Sequence, residues 1–261
     1  MPSFGDVKIN ALNRQLIIEW QDKLWQTKNA KTNKYLSYKY LVKIRDSFFN
    51  LLKWTEERFP VSFGINGIRK PKRIENAQKL ANYWTKEEFD RFLSCVSQQK
   101  YKTFFSILFY TGRRKGEILA LTPSDIKGDY ITINKTYTRK TVNGEIFLIT
   151  ANKNTKTGVS FIPEDLRKEI EKYTPNEPFY FGGQKPISEH ALQNAFDRAV
   201  ELSGVKRIRI HDLRHSFASR LIHLGASAYL VADCLGDNVE QVYKTYGHLY
   251  ETDKERILKL L

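Results

Sequence analysis

Thr111-Gly112-Arg113-Arg114-Lys115-Gly116-Glu117 and, further along, His211-Asp212-Leu213-Arg214-His215-Ser216-Phe217 are the two stretches that decide how this chain reads. Each places an arginine where a helix begins. A guanidinium fork makes paired hydrogen bonds to phosphate oxygens and first-turn amides add to the attraction, so the two together suit the grip of one phosphate. Taken singly each is weak, because first-turn arginines are usually solvated or ion-paired, and His211 and His215 also read as ordinary structural histidines.

Outward from these stretches, the pattern is helical on both sides of a short β region. Thr85-Lys86-Glu87-Glu88 is a capping-box signature ahead of Phe89, Phe92, Leu93 and Val96. Tyr101 to Tyr110 predicts a helix ending at Gly112, and Gly116 to Leu121 a further short one. The period then drops to two. Tyr130 to Asn134, Glu145 to Ile149 and Val159 to Ile162 read as strands, with Asn143-Gly144 as a hairpin turn and Lys156 on the turn leading into the third. Helices are expected again at Glu164 to Tyr173, Ser188 to Ser203, His211 to Leu224 and Ser227 to Leu235, then a short piece near Glu240 to Tyr246 and a last helix from about Thr252. The expected class is mainly α with one small antiparallel β-sheet in the larger domain (α+β).

Towards the N-terminus, apolar residues recur at helical spacing from Leu12 to Trp25 and from Tyr35 to Phe59, with the aromatics read as core. Pro60, Gly64, Gly67, Pro71 and the basic run Arg69-Lys70-Pro71-Lys72-Arg73 break the pattern up to Trp84, which predicts an interdomain connection. The domains are drawn as 1–75, a linker at 76–84, and 85–261. The tail from Thr252, with Ile257, Leu258, Leu260 and Leu261, is too short to be stable alone and needs a surface to pack on.

Charge adds a partner class. The 261 residues carry 43 Lys and Arg against 29 Asp and Glu, a net +14 with pI near 9.6. Residues 1 to 80 hold 16 of the basic and 7 of the acidic side chains, so most of the excess sits in the first domain. That favours an electrostatic groove following phosphates over an anionic membrane surface, for which there is no lipidation signal or strongly apolar face. The apolar runs are far shorter than a membrane span, and no apolar signal region opens the chain, so a cytoplasmic protein is expected. Cys95 and Cys234 read as buried free thiols, and no histidine pair at zinc-ligand spacing is also accompanied by cysteines, so no metal is expected, and no cofactor either.

The ordered set carries more than its parts. Arg in a Thr-Gly-x-Arg-x-Gly-Glu frame, Lys156 in Thr155-Lys156-Thr157-Gly158, His211-x-x-Arg214, Leu235-Gly236, and Tyr246 in Thr245-Tyr246-Gly247-His248-Leu249 follow one another along the chain. In this the chain resembles the tyrosine recombinase, or phage integrase, family over the whole second domain and more loosely over the first. The resemblance implies a SAM-like helical core-binding domain and a catalytic domain closing as a clamp on double-stranded DNA at attachment or core sites. It also implies a homotetramer on DNA, monomeric or weakly associated when free, with the C-terminal helix docked on a neighbour.

Position by position, the resemblance makes Arg114, Lys156, His211, Arg214 and Tyr246 catalytic, with Arg113 in a variable slot. Tyr246 would attack phosphorus to give a 3′-phosphotyrosine, the two arginines would neutralise the non-bridging oxygens, Lys156 would protonate the leaving 5′ oxygen, and His211 would orient the phosphate or take the tyrosine proton. Glu117 is expected to brace the arginine site. Where the family has Leu-Gly-His or a tryptophan, this chain has Leu235-Gly236-Asp237, so Asp237 is expected to hold an arginine or His211, or to point away. Tyr243 and Tyr250 compete locally with Tyr246 as core or nucleophile. The competing functions are a type IB topoisomerase-like relaxing enzyme and a catalytically silent DNA-binding regulator.

Overall fold

The structure is a computed structural model that describes residue 4 and residues 7–72, 82–142, 145–151 and 158–258, the backbone alone at 139–142, 145–151 and 251–258. The chain divides into two compact units at residue 78. In the first, a 3-10 turn precedes α1 (Arg14–Trp25) and α2 (Tyr38–Glu56), started by Asn13 and Ser37 side chains that accept the Leu16 and Tyr40 amides at 3.1 and 3.3 Å. Leu41, Arg45, Phe49 and Leu52 form the buried stripe of α2, spaced four, four and three apart, and Phe49 and Leu52 share a core with Ile17 of α1, Phe63 and Ile65.

Two expectations change here. The stretch after Pro60 is not all connection: Phe63 and Ile65 are 2% and 4% exposed and complete the core of the first unit. Tyr40 and Trp54, read as core aromatics, are exposed because the stripe runs through Arg45 instead. The Arg45 guanidinium is kept inside by giving its Nε to Gln21 at 2.6 Å and a terminal nitrogen to the Ile68 carbonyl at 2.7 Å, and by lying 3.7 Å over the Phe49 ring.

The second unit begins with a wedge rather than a linker. Trp84 is 1% exposed, stacks on Phe196, and ties itself to the Ser216 hydroxyl (2.9 Å) through its amide and to the Lys206 carbonyl (2.8 Å) through its indole. α3 (Lys86–Cys95) starts with the expected reciprocal cap between Thr85 and Glu88. α4 (Gln99–Thr111) is buried along almost its whole length and ends at Gly112, in the left-handed conformation (φ 62°). The short α5 (Lys115–Leu119) follows.

The β region then departs from a single sheet. β1 (Ile126–Lys127), β2 (Tyr130–Ile133), β3 (Lys135–Val142), β4 (Glu145–Ala151) and β5 (Gly158–Phe161) form a three-stranded sheet in the order β1-β2-β5 and a separate β3-β4 ribbon, all antiparallel. β3 escapes sequence reading because Lys135 to Val142 lacks the apolar alternation that marks a half-buried strand. The Asn143-Gly144 turn lies outside the described residues.

Helices complete the unit: α6 (Glu164–Glu171), α7 (Glu189–Ser203), α8 (Asp212–His223), α9 (Ala228–Leu235) and α10 (Val239–Leu258). The short piece and last helix expected after residue 240 are one continuous helix. Gly247 interrupts nothing there, since a helical glycine costs only about 1 kcal/mol relative to alanine and the rest of the run contains no proline. The large core holds Phe89, Phe92, Phe104, Phe109, Phe181 and Phe196, with Phe89 and Phe109 stacked at 3.8 Å. A smaller cluster, with Ile222, Val231, Leu235, Val242 and Tyr246, joins α8, α9 and α10. Cys95 and Cys234 are free as expected but only half-buried. Among the described residues, no helix is long and apolar enough to cross a membrane.

Gly112 is where the two cores and both arginine stretches meet. A Cβ there would lie 2.3 Å from the Phe217 ring and 2.9 Å from Leu235, on a backbone that L residues rarely adopt. Gly112→Ala is therefore expected to destabilise the unit by about 3 kcal/mol, roughly 6–12 °C in melting temperature. A melting curve that overlays wild type would mean that α4 and α8 separate more freely than this packing implies.

Candidate active site

α5 and α8 bring the two arginines to one place. Arg114 precedes α5 and is gripped twice by the buried Glu117, whose carboxylate accepts the Arg114 amide at 2.8 Å and its guanidinium at 3.2 Å. Arg214, 5% exposed in the first turn of α8, donates to the Gly112 carbonyl at 2.8 Å and so ties its helix to the end of α4. That carbonyl is one of the helix-end acceptors that the α4 backbone leaves without a partner, which is why a buried guanidinium is satisfied there.

Asp237, just past the left-handed Gly236 that ends α9, bridges them. One carboxylate oxygen accepts Arg114 at 2.7 Å and the other accepts Arg214 at 2.5 Å. Of the alternatives open in the sequence, the chain thus takes the one in which Asp237 holds arginines, and it holds both. Two like charges converge only when an anion lies between them, and Asp237 supplies one. Its two oxygens sit where two oxygens of a bound phosphate would be gripped by the same forks.

Tyr246 of α10 lies in the small core, 4% exposed. Burial pushes its hydroxyl well above the ordinary tyrosine value, opposed by the nearby positive charge of Arg214. Its partner is the Nδ1 of His215, at 2.6 Å. His211 stands at the start of α8 with its ring edge-on to His215, 5.7 Å between centroids. Sequence reasoning set His211 forward for the tyrosine proton; in the structure His215 is the histidine on the hydroxyl. Its signal was available, since His215 follows Arg214 and lies one turn from His211, but sequence does not say which neighbour faces α10. The other tyrosines go elsewhere: Tyr243 is 56% exposed, and Tyr250 donates to the Ala226 carbonyl at 3.3 Å.

Lys156 lies outside the described residues. The strand that follows it is anchored by Arg113, which sequence reading left as a variable position. Arg113 is 6% exposed, donates to the Ser160 hydroxyl at 2.7 Å and the Val159 carbonyl at 2.9 Å, and is packed so close to Gly158 that a Cβ there would lie 2.5 Å from it. The sequence signal for it is faint: an arginine shortly after the apolar run Phe104 to Tyr110, where burial of the charge demands partners that come from another element. Among the described residues, no group of three or more His, Cys, Asp or Glu side chains could hold a metal ion.

The model of the phage integrase family matches residues 82–253, and the chain belongs to that family. Among curated relatives, it is 29% identical over 205 residues to the ICEBs1 integrase of Bacillus subtilis (strain 168), covering 71% of this chain and 55% of that protein. It is 25% identical to a tyrosine recombinase of Pseudothermotoga lettingae, covering 98% of this chain and 85% of the relative. Among solved structures, the fold is shared with the Tn1549 transposon integrase in complex with a circular intermediate DNA, at TM-score 0.68 and 19% identity over 95% of this chain and 86% of that one. It is shared too with the XerH site-specific recombinase bound to its difH substrate, at TM-score 0.60 and 18% identity over 94% and 71%. The chain spans 55% of the length of the ICEBs1 integrase.

Proposed function

We propose that this chain is a site-specific recombinase that integrates or excises a mobile element, cutting and rejoining double-stranded DNA through a 3′-phosphotyrosine at Tyr246. The observation that carries the reading is the convergence of Arg114 and Arg214 on a single carboxylate, both guanidiniums within 2.7 Å of Asp237. With a scissile phosphate in place of that carboxylate, the two forks would neutralise the non-bridging oxygens as negative charge builds on them. Glu117 holds Arg114 in place, Lys156 protonates the departing 5′ oxygen, and His211 contacts the phosphate. Because the arginines supply the positive charge, the reaction needs neither metal nor ATP, and the phosphotyrosine conserves the bond energy for rejoining.

The mobile-element assignment draws on the likeness to the ICEBs1 and Tn1549 integrases. The first domain, drawn as 1–75, is read as the core-binding domain, supported by the basic excess of this part of the chain. The working assembly is a cytoplasmic homotetramer on attachment-site DNA, the chain being monomeric or weakly associated when free, with the end of α10 docked on a neighbouring protomer.

The test is incubation with nicked duplexes carrying candidate attachment sites, in EDTA and without nucleotide. An SDS-resistant protein-DNA adduct mapping to the peptide with Tyr246 is expected. Tight specific binding with no adduct would favour the silent regulator, and an adduct that forms only with a divalent metal would sink the arginine-only chemistry.

Asp237 makes a separate prediction. Asp237→Asn removes the internal anion that competes with the phosphate, so binding to a cleavage-site duplex is expected to tighten by about tenfold at low salt, and the slope of log Kd against log salt to steepen by about 0.9. Anisotropy titrations across a potassium chloride series measure both. An unchanged slope would place Asp237 away from the DNA.

A further inference from the structure

The proposed chemistry leaves one proton unassigned: the tyrosine hydroxyl must lose it as the new O–P bond forms. Burial makes this harder, because the Tyr246 phenol is held above its ordinary value and will not ionise unaided near neutral pH. An acceptor at hydrogen-bonding distance is needed.

The geometry points to His215 as the base that takes the Tyr246 proton, with Asp212 as the positioning residue behind it. The Tyr246 hydroxyl and His215 Nδ1 are 2.6 Å apart, and His215 Nε2 faces the Asp212 carboxylate at 3.9 Å. A carboxylate on the Nε2 side favours the tautomer with its proton there, which leaves the Nδ1 lone pair to accept the tyrosine O–H. Asp212 is itself fixed. It takes the Arg209 amide at 2.8 Å and the Arg209 side chain at 2.6–3.1 Å, and although burial works the other way, these bonds hold its carboxyl below the usual range.

The groups facing His215 are Tyr246 from α10, His211, Asp212 and Arg214 from its own helix, and Arg209 from the preceding segment. Burial, with His211, Arg209 and Arg214, lowers its pKa; Asp212 raises it, and the net is downward. His215 therefore stays neutral, ready to accept a proton, to more acid pH than a free imidazole. In cleavage the Tyr246 oxygen–phosphorus bond forms, the phosphorus–O5′ bond breaks, the phenolic proton passes to Nδ1, and the departing 5′ oxygen takes its proton from the general acid of the proposed reaction. In rejoining, the 5′ hydroxyl attacks and gives its proton back to that acid, the tyrosine leaves, and His215 returns the phenolic proton.

This rests on Tyr246 being the nucleophile, and the experiment separates the two claims. Single-turnover cleavage is followed against pH on a nicked duplex with sulfur at the bridging 5′ position, a leaving group that needs no acid, so that only the nucleophile side is read. Wild type is expected to cleave with an acid limb below the ordinary imidazole value. His215→Ala and His215→Gln are both expected to lose that limb and to be about 100-fold slower at neutral pH. Glutamine is the decisive variant, since it keeps a hydrogen bond to the tyrosine but cannot carry the proton.

Asp212→Asn, which removes the charge that raises the His215 pKa, is expected to move the limb to lower pH. Wild-type cleavage by His215→Gln, or an unaltered limb in it, overturns His215 as the base. An unmoved limb in Asp212→Asn overturns the role of Asp212. No Tyr246 adduct in wild type would instead defeat the functional reading on which the inference stands.

Discussion

Tyr246→Phe is expected to form no covalent adduct with a nicked attachment-site duplex while binding it as wild type does. Nothing but one oxygen is removed. That oxygen is the only atom of the side chain able to bond phosphorus, and a phenyl ring has no substitute for it. The ring keeps its place among Val242, Leu235 and the rest of the small core, so binding should stay within about twofold. The cost in stability is the hydrogen bond to His215, about 1 kcal/mol. Gel electrophoresis in SDS and a thermal melt read the two effects. Tyr243→Phe is the control: its side chain is exposed and its ring lies against Tyr250, and its adduct should form at the wild-type rate. An adduct that persists in Tyr246→Phe but vanishes in Tyr243→Phe would move the nucleophile one turn along α10.

Arg214→Ala is expected to lower single-turnover cleavage by about 10³-fold, because one of the two forks that stabilise the pentavalent phosphate is gone. It should also cost about 3 kcal/mol of stability. The side chain is 5% exposed, and its loss leaves the Gly112 carbonyl and one Asp237 oxygen without the donor they have now. Arg214→Lys separates the two effects. Lysine restores the charge opposite Asp237, but its single nitrogen cannot span both acceptors, so melting should recover more than cleavage. Equal recovery of both would mean that charge alone, without the planar fork, is what the site requires.

Much of this molecule was legible before folding. The Thr85 cap, the end of α4 at Gly112 and the three strands after residue 130 were read from local chemistry, because caps, left-handed glycines and period-two alternation act within a few residues. The segments that resisted reading share a cause. Phe63 and Ile65 sit among prolines and glycines that look like a linker, and only α1 and α2 make them core. Tyr40 and Trp54 are apolar enough for a core, but the helix phase that buries Arg45 turns them to solvent. The break expected before Thr252 is absent, because α10 runs on through Gly247, whose helix penalty a long run absorbs.

The candidate site divides along the same line. The order of Arg114, Lys156, His211, Arg214 and Tyr246 and the acid at Asp237 are properties of the sequence, visible because each sits in a short sequence frame. Which of these groups touch is not. That Asp237 joins the two arginines, that Arg113 roots the strand after Lys156, and that His215 rather than His211 meets the tyrosine each depend on elements from distant parts of the chain. Residue types and spacing declare which chemistry a chain can carry. The partner of each buried polar group is chosen only when helices and strands pack and water is excluded, for then every donor must find its acceptor among whatever the fold has brought near.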